Sequence, residues 1–195
     1  MSRRSIAFIA PVAALALGGC GVNSIPTAEE AAKARWADVQ NEYQRRSDLI
    51  PNLVSTVKGY AKQEQDVLVK VTQARAAAGS VTLSPEQLSD PEAVRRFSQA
   101  QGQLTNALVP LRQLQEAYPD LKSNANFMAL QSQLEGTENR ITIARRDYNE
   151  AVQAYNTRIR TFPDAIGAKV FYGAKPMVTF EATTPNAQTA PNVTF

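Results

Sequence analysis

The sequence predicts an all-α protein, an elongated antiparallel up-and-down bundle of three long helices followed by a short C-terminal helix. Three observations indicate this fold: apolar residues recur every seven positions, glycine is scarce, and prolines stand where helices should begin or end. Between Ala61 and Pro163 only three glycines occur, in a stretch rich in Ala, Leu, Gln, Glu and Arg, which favour helix. A sustained heptad repeat indicates helices that remain in contact over many turns with shallow crossing angles, as in a coiled coil.

Three heptad seams mark the long helices. The first seam combines two rows of residues, which are Trp36, Tyr43, Ile50, Val57, Glu64, Val71, Ala78 and Val39, Arg46, Leu53, Tyr60, Val67, Ala74. The second seam consists of Phe97, Ala100, Leu104, Ala107, Leu111, Leu114, Tyr118 and Leu121. The third seam consists of Phe127, Leu130, Leu134, Thr137, Ile141, Ala144, Tyr148, Ala151, Tyr155 and Phe162. Such continuous apolar rows predict buried helix faces, and the tyrosine rings among them should fill the bundle interior.

Capping residues and prolines predict the helix ends. The expected bounds are 27 to 79–80 for the first helix, 85 or 91 to 118 for the second, 124 or 126 to 161 for the third, and 164 to 171 for a short helix. Thr27 is the expected N-cap of the first helix, and Pro163 should end the third. Pro51 and Pro110 stand inside helices, and each should kink or split its helix because proline frees a carbonyl one turn earlier. A split at Pro51 would give a four-helix bundle.

The N-terminus has the three parts of a bacterial secretory signal. Arg3 and Arg4 supply positive charge, residues 6–17 contain no polar side chain, and two glycines precede Cys20, the only cysteine. This arrangement resembles the lipobox of lipoproteins, in which the cysteine becomes the acylated N-terminus that carries diacylglycerol and palmitate. Cys20 is therefore the predicted lipidation site. Among lipoproteins, a residue such as Gly21 in place of aspartate favours the outer membrane over the inner.

Two other interpretations of the N-terminus stay open. An uncleaved membrane helix needs roughly 17 to 25 apolar residues, whereas residues 6–17 supply twelve. The third interpretation is a cleaved signal with an incidental cysteine. The predicted organisation is a targeting segment at 1–19, an anchored linker at 20–26, a helical bundle at 27–173 and an extended tail at 174–195. The bundle should lie outside the cytoplasm of a bacterium, in the cell envelope.

The composition excludes several functions. The chain has no histidine, which excludes Ser-His-Asp and Cys-His catalysis, ordinary zinc sites and the Glu-x-x-His pairs of di-iron bundles. No phosphate-binding G-x-x-x-x-G-K-[ST] sequence occurs. The net charge is +3, and it falls to +1 once Arg3 and Arg4 leave with the signal, so nucleic acid is not an expected partner. We therefore predict a protein that is not an enzyme and has neither metal nor cofactor.

Several ordered motifs resemble the LemA family. They are Trp36-Ala-Asp38-Val39, the stretches from Tyr43 to Val54 and from Thr56 to Ala61, Glu116-Ala-Tyr118-Pro119-Asp120-Leu-Lys122, Leu134-Glu135-Gly-Thr137-Glu138-Asn139-Arg140-Ile141, Ala144-Arg145, Tyr148-Asn149, Tyr155-Asn156-Thr157 and Phe162-Pro163. The resemblance implies a membrane-anchored four-helix bundle without established biochemical activity. Members usually carry an N-terminal membrane helix, where this chain has the lipobox-like sequence. Gene neighbourhoods in the family imply envelope partners such as a membrane metalloprotease, which suggests a scaffold or adaptor.

Polar residues beside the seams are the candidate interaction or register-fixing sites. They are Arg45, Arg46, Asp48, Pro51, Glu138, Arg145 and Asn149. Arg46, Glu64, Glu138 and Arg145 should pair between helices and fix their register, with Glu138 and Arg145 as one candidate pair. Arg45 and Asp48 should form a surface pair. Two alternatives remain: a ligand- or peptide-binding module with a polar groove or a cleft near Pro51, and an enzyme that uses Glu138 or Glu135 with Arg145.

Overall fold

The computed structural model describes residues 23–181, so the targeting segment, Cys20 and residues 182–195 lie outside the described residues. Six α-helices occur in the described range: α1 (Ser24–Tyr60), α2 (Gln65–Ser80), α3 (Pro91–Ala117), α4 (Pro119–Lys122), α5 (Ala125–Arg158) and α6 (Asp164–Gly167). A 3₁₀ turn spans Pro85–Ser89, and a π-helical turn spans Ala168–Tyr172. Residues 174–181 belong to neither a helix nor a strand. The predicted all-α bundle is confirmed.

The four longer helices run alternately up and down. Arg46 of α1 contacts Glu138 of α5, and Ser24 contacts Asp164 just after α5, so these two helices are antiparallel. The short α2 returns along α1, where Arg75 donates to the backbone oxygen of Ser47. With 37 residues, α1 is about 55 Å long, which makes the bundle elongated. No helix within residues 23–181 is long and apolar enough to cross a membrane.

Side-chain capping explains the starts of α3 and α5. Asp90 accepts a hydrogen bond from the backbone N–H of Glu92, with Pro91 in the first turn of α3. Asn124 accepts from the N–H of Phe127 at the start of α5. Both satisfy N–H groups that lack a partner inside the helix. The predicted starts of the second and third long helices are thus confirmed to within a residue.

The start of the first helix differs from the prediction. Helix α1 begins at Ser24, and Thr27 already lies inside it. The Thr27 hydroxyl donates to the backbone oxygen of Asn23, one turn earlier, instead of accepting from a backbone N–H. Ile25 is fully buried, which explains why the helix extends into the expected linker: its side chain packs in the core.

The first long helix is split, but not at Pro51. Pro51 lies inside α1 on an exposed surface, and the break falls at residues 61–64. Glu64, the charged residue that interrupts the first seam, lies at this corner and accepts a hydrogen bond from the Tyr118 hydroxyl at 3.0 Å. Pro110 likewise remains inside α3. The four-helix arrangement is therefore present. Its corner lies at Glu64, the residue that follows Val57 in the first heptad seam.

The interior consists of two apolar halves. One half contains Trp36, Phe97 and Tyr148 near the N-terminal end of α1. The other contains Leu53 and Leu111 near the opposite end, together with neighbouring aliphatic side chains. Between the halves lie the buried polar side chains of Arg46, Gln101 and Thr137. Two predicted core residues are wrong: Tyr60 is 44% exposed beside the corner, and Phe162 is 83% exposed beyond the end of α5.

Candidate functional site

The buried Arg46 side chain holds a polar layer together. Its Nη1 donates to Thr105 Oγ1 at 2.9 Å and to Glu138 Oε1 at 3.1 Å, and its Nη2 donates to Gln101 Oε1. The guanidinium also lies 5.0 Å from the centre of the Tyr43 ring, a cation–π contact. Arg46 is 1% exposed, so no substrate can reach it. This layer joins α1, α3 and α5 at one height.

The candidate pair of Glu138 and Arg145 does not form. Both residues lie on α5, and seven residues of helix separate them by about 10.5 Å along the axis. Glu138 pairs with Arg46 instead, across the bundle. Arg145 donates to the backbone oxygen of Glu181, 2.8 Å away, beyond the end of the last helical turn.

The surface candidates on α1 show little organisation. Asp48 accepts from Gln44 at 2.8 Å rather than forming the expected pair with Arg45, which is exposed. A groove of about 460 Å³ lies at the corner between α1 and α2, with Val54 and Val69 among its lining residues, and Pro51 is not one of them.

A second polar site lies on α5, where residues 174–181, the C-terminal strap, pack along the helix. The Asn149 side chain donates to the backbone oxygen of Phe180 at 2.9 Å and accepts from its N–H at 2.8 Å. Asn156 makes the same two bonds with Met177, at 2.8 and 2.9 Å. Each asparagine thus satisfies both main-chain groups of one strap residue.

Helix and strap geometry explain this pairing. Asn149 and Asn156 are seven residues apart, which is about 10.5 Å along a helix. Met177 and Phe180 are three residues apart, about 10 Å in an extended chain. The two distances match, so Asn156 can bind Met177 while Asn149 binds Phe180. Because Asn156 binds the earlier of the two, the strap runs antiparallel to α5.

The tyrosine before each asparagine adds a third bond. The Tyr148 hydroxyl donates to the backbone oxygen of Val178 at 3.0 Å, and the Tyr155 hydroxyl donates to that of Lys175 at 3.1 Å. Burial raises the pKa of Tyr148 well above its usual range and also raises the pKa of Tyr155, because the charged phenolate is poorly solvated there. Both hydroxyls therefore stay protonated and available as donors. We call Tyr148-Asn149 and Tyr155-Asn156 the Tyr-Asn clamp.

Aromatic contacts close the strap onto the core. Phe180 is 6% exposed, and its ring centre lies 5.8 Å from that of Trp36 and 5.4 Å from that of Tyr148. The Arg145 guanidinium covers its outer side, 4.9 Å from the ring centre. On the other edge, the N–H of Val178 donates to the backbone oxygen of Leu88 in the 3₁₀ turn. Residues 174–181 of the predicted tail thus lie outside any helix, and Met177 and Phe180 belong to the core.

An open polar groove of about 800 Å³ follows the strap on α5. Its lining residues are Thr142, Arg145, Arg146, Asn149, Glu150, Gln153, Asn156, Thr157, Arg160, Thr179, Phe180 and Glu181. The α5 members recur every three or four positions and so form one stripe on the helix surface. The groove therefore offers hydrogen-bonding side chains along one side and the strap along the other.

Neither of the candidate catalytic carboxylates, Glu135 and Glu138, is paired with Arg145. Among residues 23–181 no three Asp, Glu, Cys or His side chains are placed to hold a metal ion. Glu138 is bound to Arg46, and Glu135 accepts from Gln131 on the helix surface. Neither carboxylate lines the groove beside the strap.

Sequence reasoning singled out Asn149 and Arg145 but missed their partners on the strap. The signal was present, since the dipeptide Tyr-Asn occurs twice at a spacing of seven residues on a helical face. Asparagine is a poor choice for a helix interior unless its side chain has a specific bond to make. A repeated asparagine beside buried tyrosines therefore indicates recognition of another segment's main chain.

Fold and site together define a class: small all-helical bundles whose last long helix holds an extended segment through its main chain. A sequence profile of the LemA family matches residues 35–195. The chain therefore belongs to the LemA family, and the resemblance carried by its sequence motifs is confirmed.

Individual relatives are more distant. Magnetosome protein MamQ 2 of Paramagnetospirillum magneticum and Magnetosome protein MamQ of Magnetospirillum gryphiswaldense are each 26% identical over 157 residues, which cover 72% of this chain and 58% of theirs. Protein LemA of Metamycoplasma hominis is 24% identical over 124 residues, covering 64% of this chain and 52% of its own. The matched region thus spans little more than half the length of these curated relatives.

Proposed function

We propose that this protein is a membrane-anchored adaptor of the bacterial envelope that binds an extended segment of another envelope protein and performs no chemistry. The observation that carries the proposal is the Tyr-Asn clamp, which holds one segment of the chain by its main-chain groups and has an open groove beside it on the same helix. The adjoining groove continues the same helix surface with exposed Arg146, Gln153 and Thr157. A partner segment laid beside the strap would find hydrogen-bonding groups along its whole length.

Membrane anchoring rests on the sequence before Asn23. Cys20 follows an apolar segment and two glycines, and lipidation there would attach the bundle to a membrane. The similarity to magnetosome proteins accords with an envelope location but names no partner. A protein that works by contact at a membrane needs no active site, which agrees with the paired and surface positions of Glu138 and Glu135.

We expect intact-mass analysis of the mature protein from bacterial membranes to show a chain that begins at Cys20 and carries acyl chains. Cys20→Ser should leave the signal uncleaved or release the protein to the soluble fraction, because stable attachment takes two acyl chains. An intact chain that keeps Met1 and stays in the membrane would instead establish the uncleaved membrane helix.

Site-specific crosslinking in intact cells tests the groove. A photo-crosslinking amino acid at Gln153 should capture an envelope protein through one extended segment, identified by mass spectrometry. The matched control is the same amino acid at Ile143, which is 50% exposed on the same helix but outside the groove. Filling the groove by Thr157→Trp should lower the yield about tenfold, the effect of a loss of about 1.4 kcal/mol in binding. Equal adducts from positions 143 and 153 would contradict the proposal.

A further inference from the structure

One end of the bundle carries an unusual set of exposed apolar side chains. Phe162, Ile166, Val170 and Phe171 are 83%, 57%, 68% and 69% exposed. All four lie within eleven consecutive positions that include α6 and the π-helical turn. Large apolar side chains that gather in this way on a surface mark an interaction site, whereas single ones do not.

This end is where the described chain begins. Ser24 Oγ donates to Asp164 Oδ2 at 2.6 Å, and a side-chain carbon of Ile25 lies against Gly167. Asp164 and Gly167 of α6 thus contact the start of α1, whereas Ile166 of the same helix remains exposed. Asn23 therefore stands beside the apolar end of the bundle.

The length of chain before Asn23 limits how far this end can lie from the membrane. Two residues lie between Asn23 and Cys20, and the three steps from one to the other span at most about 11 Å when the chain is fully extended. If Cys20 carries the lipid, the apolar end is held within that distance of the bilayer surface. An uncleaved membrane helix that ended at residue 22 would bring it closer still.

The positive charge of the apolar end also favours contact with a membrane. Residues 158–175 contain four basic residues, Arg158, Arg160, Lys169 and Lys175, and one acidic residue, Asp164. The acid is already engaged by Ser24 and lies 3.7 Å from Arg158. Exposed cations beside apolar and aromatic side chains are the composition that binds the interface of an anionic bilayer.

We infer that the end formed by Phe162, Ile166, Val170 and Phe171 inserts into the interface of an anionic phospholipid bilayer. The bundle thereby stands upright on the membrane, with α1 and α5 along its normal. This inference rests on the anchoring part of the proposed function and does not depend on the groove.

Tryptophan fluorescence of the full chain in vesicles tests the insertion. Trp36 is the only native tryptophan and is fully buried, so it supplies a constant background. Phe171→Trp adds a probe at the apolar end. Met128→Trp is the control, because Met128 is 47% exposed about 45 Å along α5 from Arg158. In vesicles of brominated phosphatidylcholine with phosphatidylglycerol, quenching should remove about half of the emission added at position 171, since interfacial segments enter about 5–10 Å deep. Emission added at position 128 should be unchanged.

A further variant supports the insertion, and three other outcomes would overturn it. Adding Ile166→Ser and Val170→Ser to Phe171→Trp should reduce the quenching about twofold, because the neighbouring apolar area that drives insertion is gone. Blue-shifted emission at position 171 without quenching would mean that protein, such as a second copy or residues 182–195, covers this end, and would overturn the inference. Red-shifted, unquenched emission would also overturn it. Failure of the protein to float with the vesicles would overturn the anchoring proposal as well.

Discussion

Phe180→Ala should lower the free energy of unfolding by about 3–5 kcal/mol, the usual cost of removing a buried phenylalanine ring. The residue lies in an extended segment after the last helical turn, where a surface position would be expected to tolerate change. Its ring, however, contacts Trp36, Phe97 and Tyr148, with Arg145 on its outer side. Urea unfolding followed by circular dichroism measures the loss.

Trp36 provides an independent measurement. Its indole N–H donates to the backbone oxygen of Leu83, and its ring is stacked with that of Phe180. Loss of the Phe180 ring should admit water and shift the tryptophan emission to the red. Phe171→Ala is the matched control: this ring is 69% exposed, so the change should stay within about 0.5 kcal/mol. Equal stability of the two variants would show that the strap does not belong to the core.

Arg46→Met should cost about 3 kcal/mol, because it removes the donor shared by Gln101, Thr105 and Glu138 and leaves their oxygens partly unpaired. Glu138 is 25% exposed and can recover some hydration, which holds the cost at the lower end of the range for broken buried pairs. Thermal and urea unfolding both measure it.

Two further variants separate a register-fixing role from general packing. Arg45→Met changes the adjacent, exposed arginine and should stay within about 0.5 kcal/mol. The double variant Arg46→Met with Glu138→Leu should regain most of the lost stability, since two apolar side chains replace a charged pair. If the double variant is no more stable than Arg46→Met alone, the pair does not account for the cost of the single change.

The fold could be predicted because heptad spacing reports burial directly. Trp36, Leu104 and Tyr148 are buried where their seams place them, and Arg46 and Glu64 were recognised as interruptions. The corner at 61–64 could not be predicted in the same way. Val57, Glu64 and Val71 keep the seven-residue spacing across it, so a continuous helix and a two-helix hairpin produce the same pattern.

The site was only half predictable for a related reason. The periodicity of α5 places Asn149 and Asn156 on one stripe but does not say what they bind. Their partners, Met177 and Phe180, lie in a short segment with neither helical nor strand periodicity. A spacing of three residues in an extended chain leaves no recognisable sequence pattern. The fact that this distance equals two turns of α5 becomes visible only in the folded structure.

The strap is the last part of the core in chain order, so the core can be completed only after residue 180 has been made. In the chain, α1, α3 and α5 all precede Phe180, so a polypeptide made N-terminus first contains them before Phe180 is added. Until then Trp36 and Tyr148 lack the ring that covers them, and both asparagines of the clamp face water. A chain that stops short of residue 177 therefore has every long helix but lacks the Met177 and Phe180 side chains that complete the core.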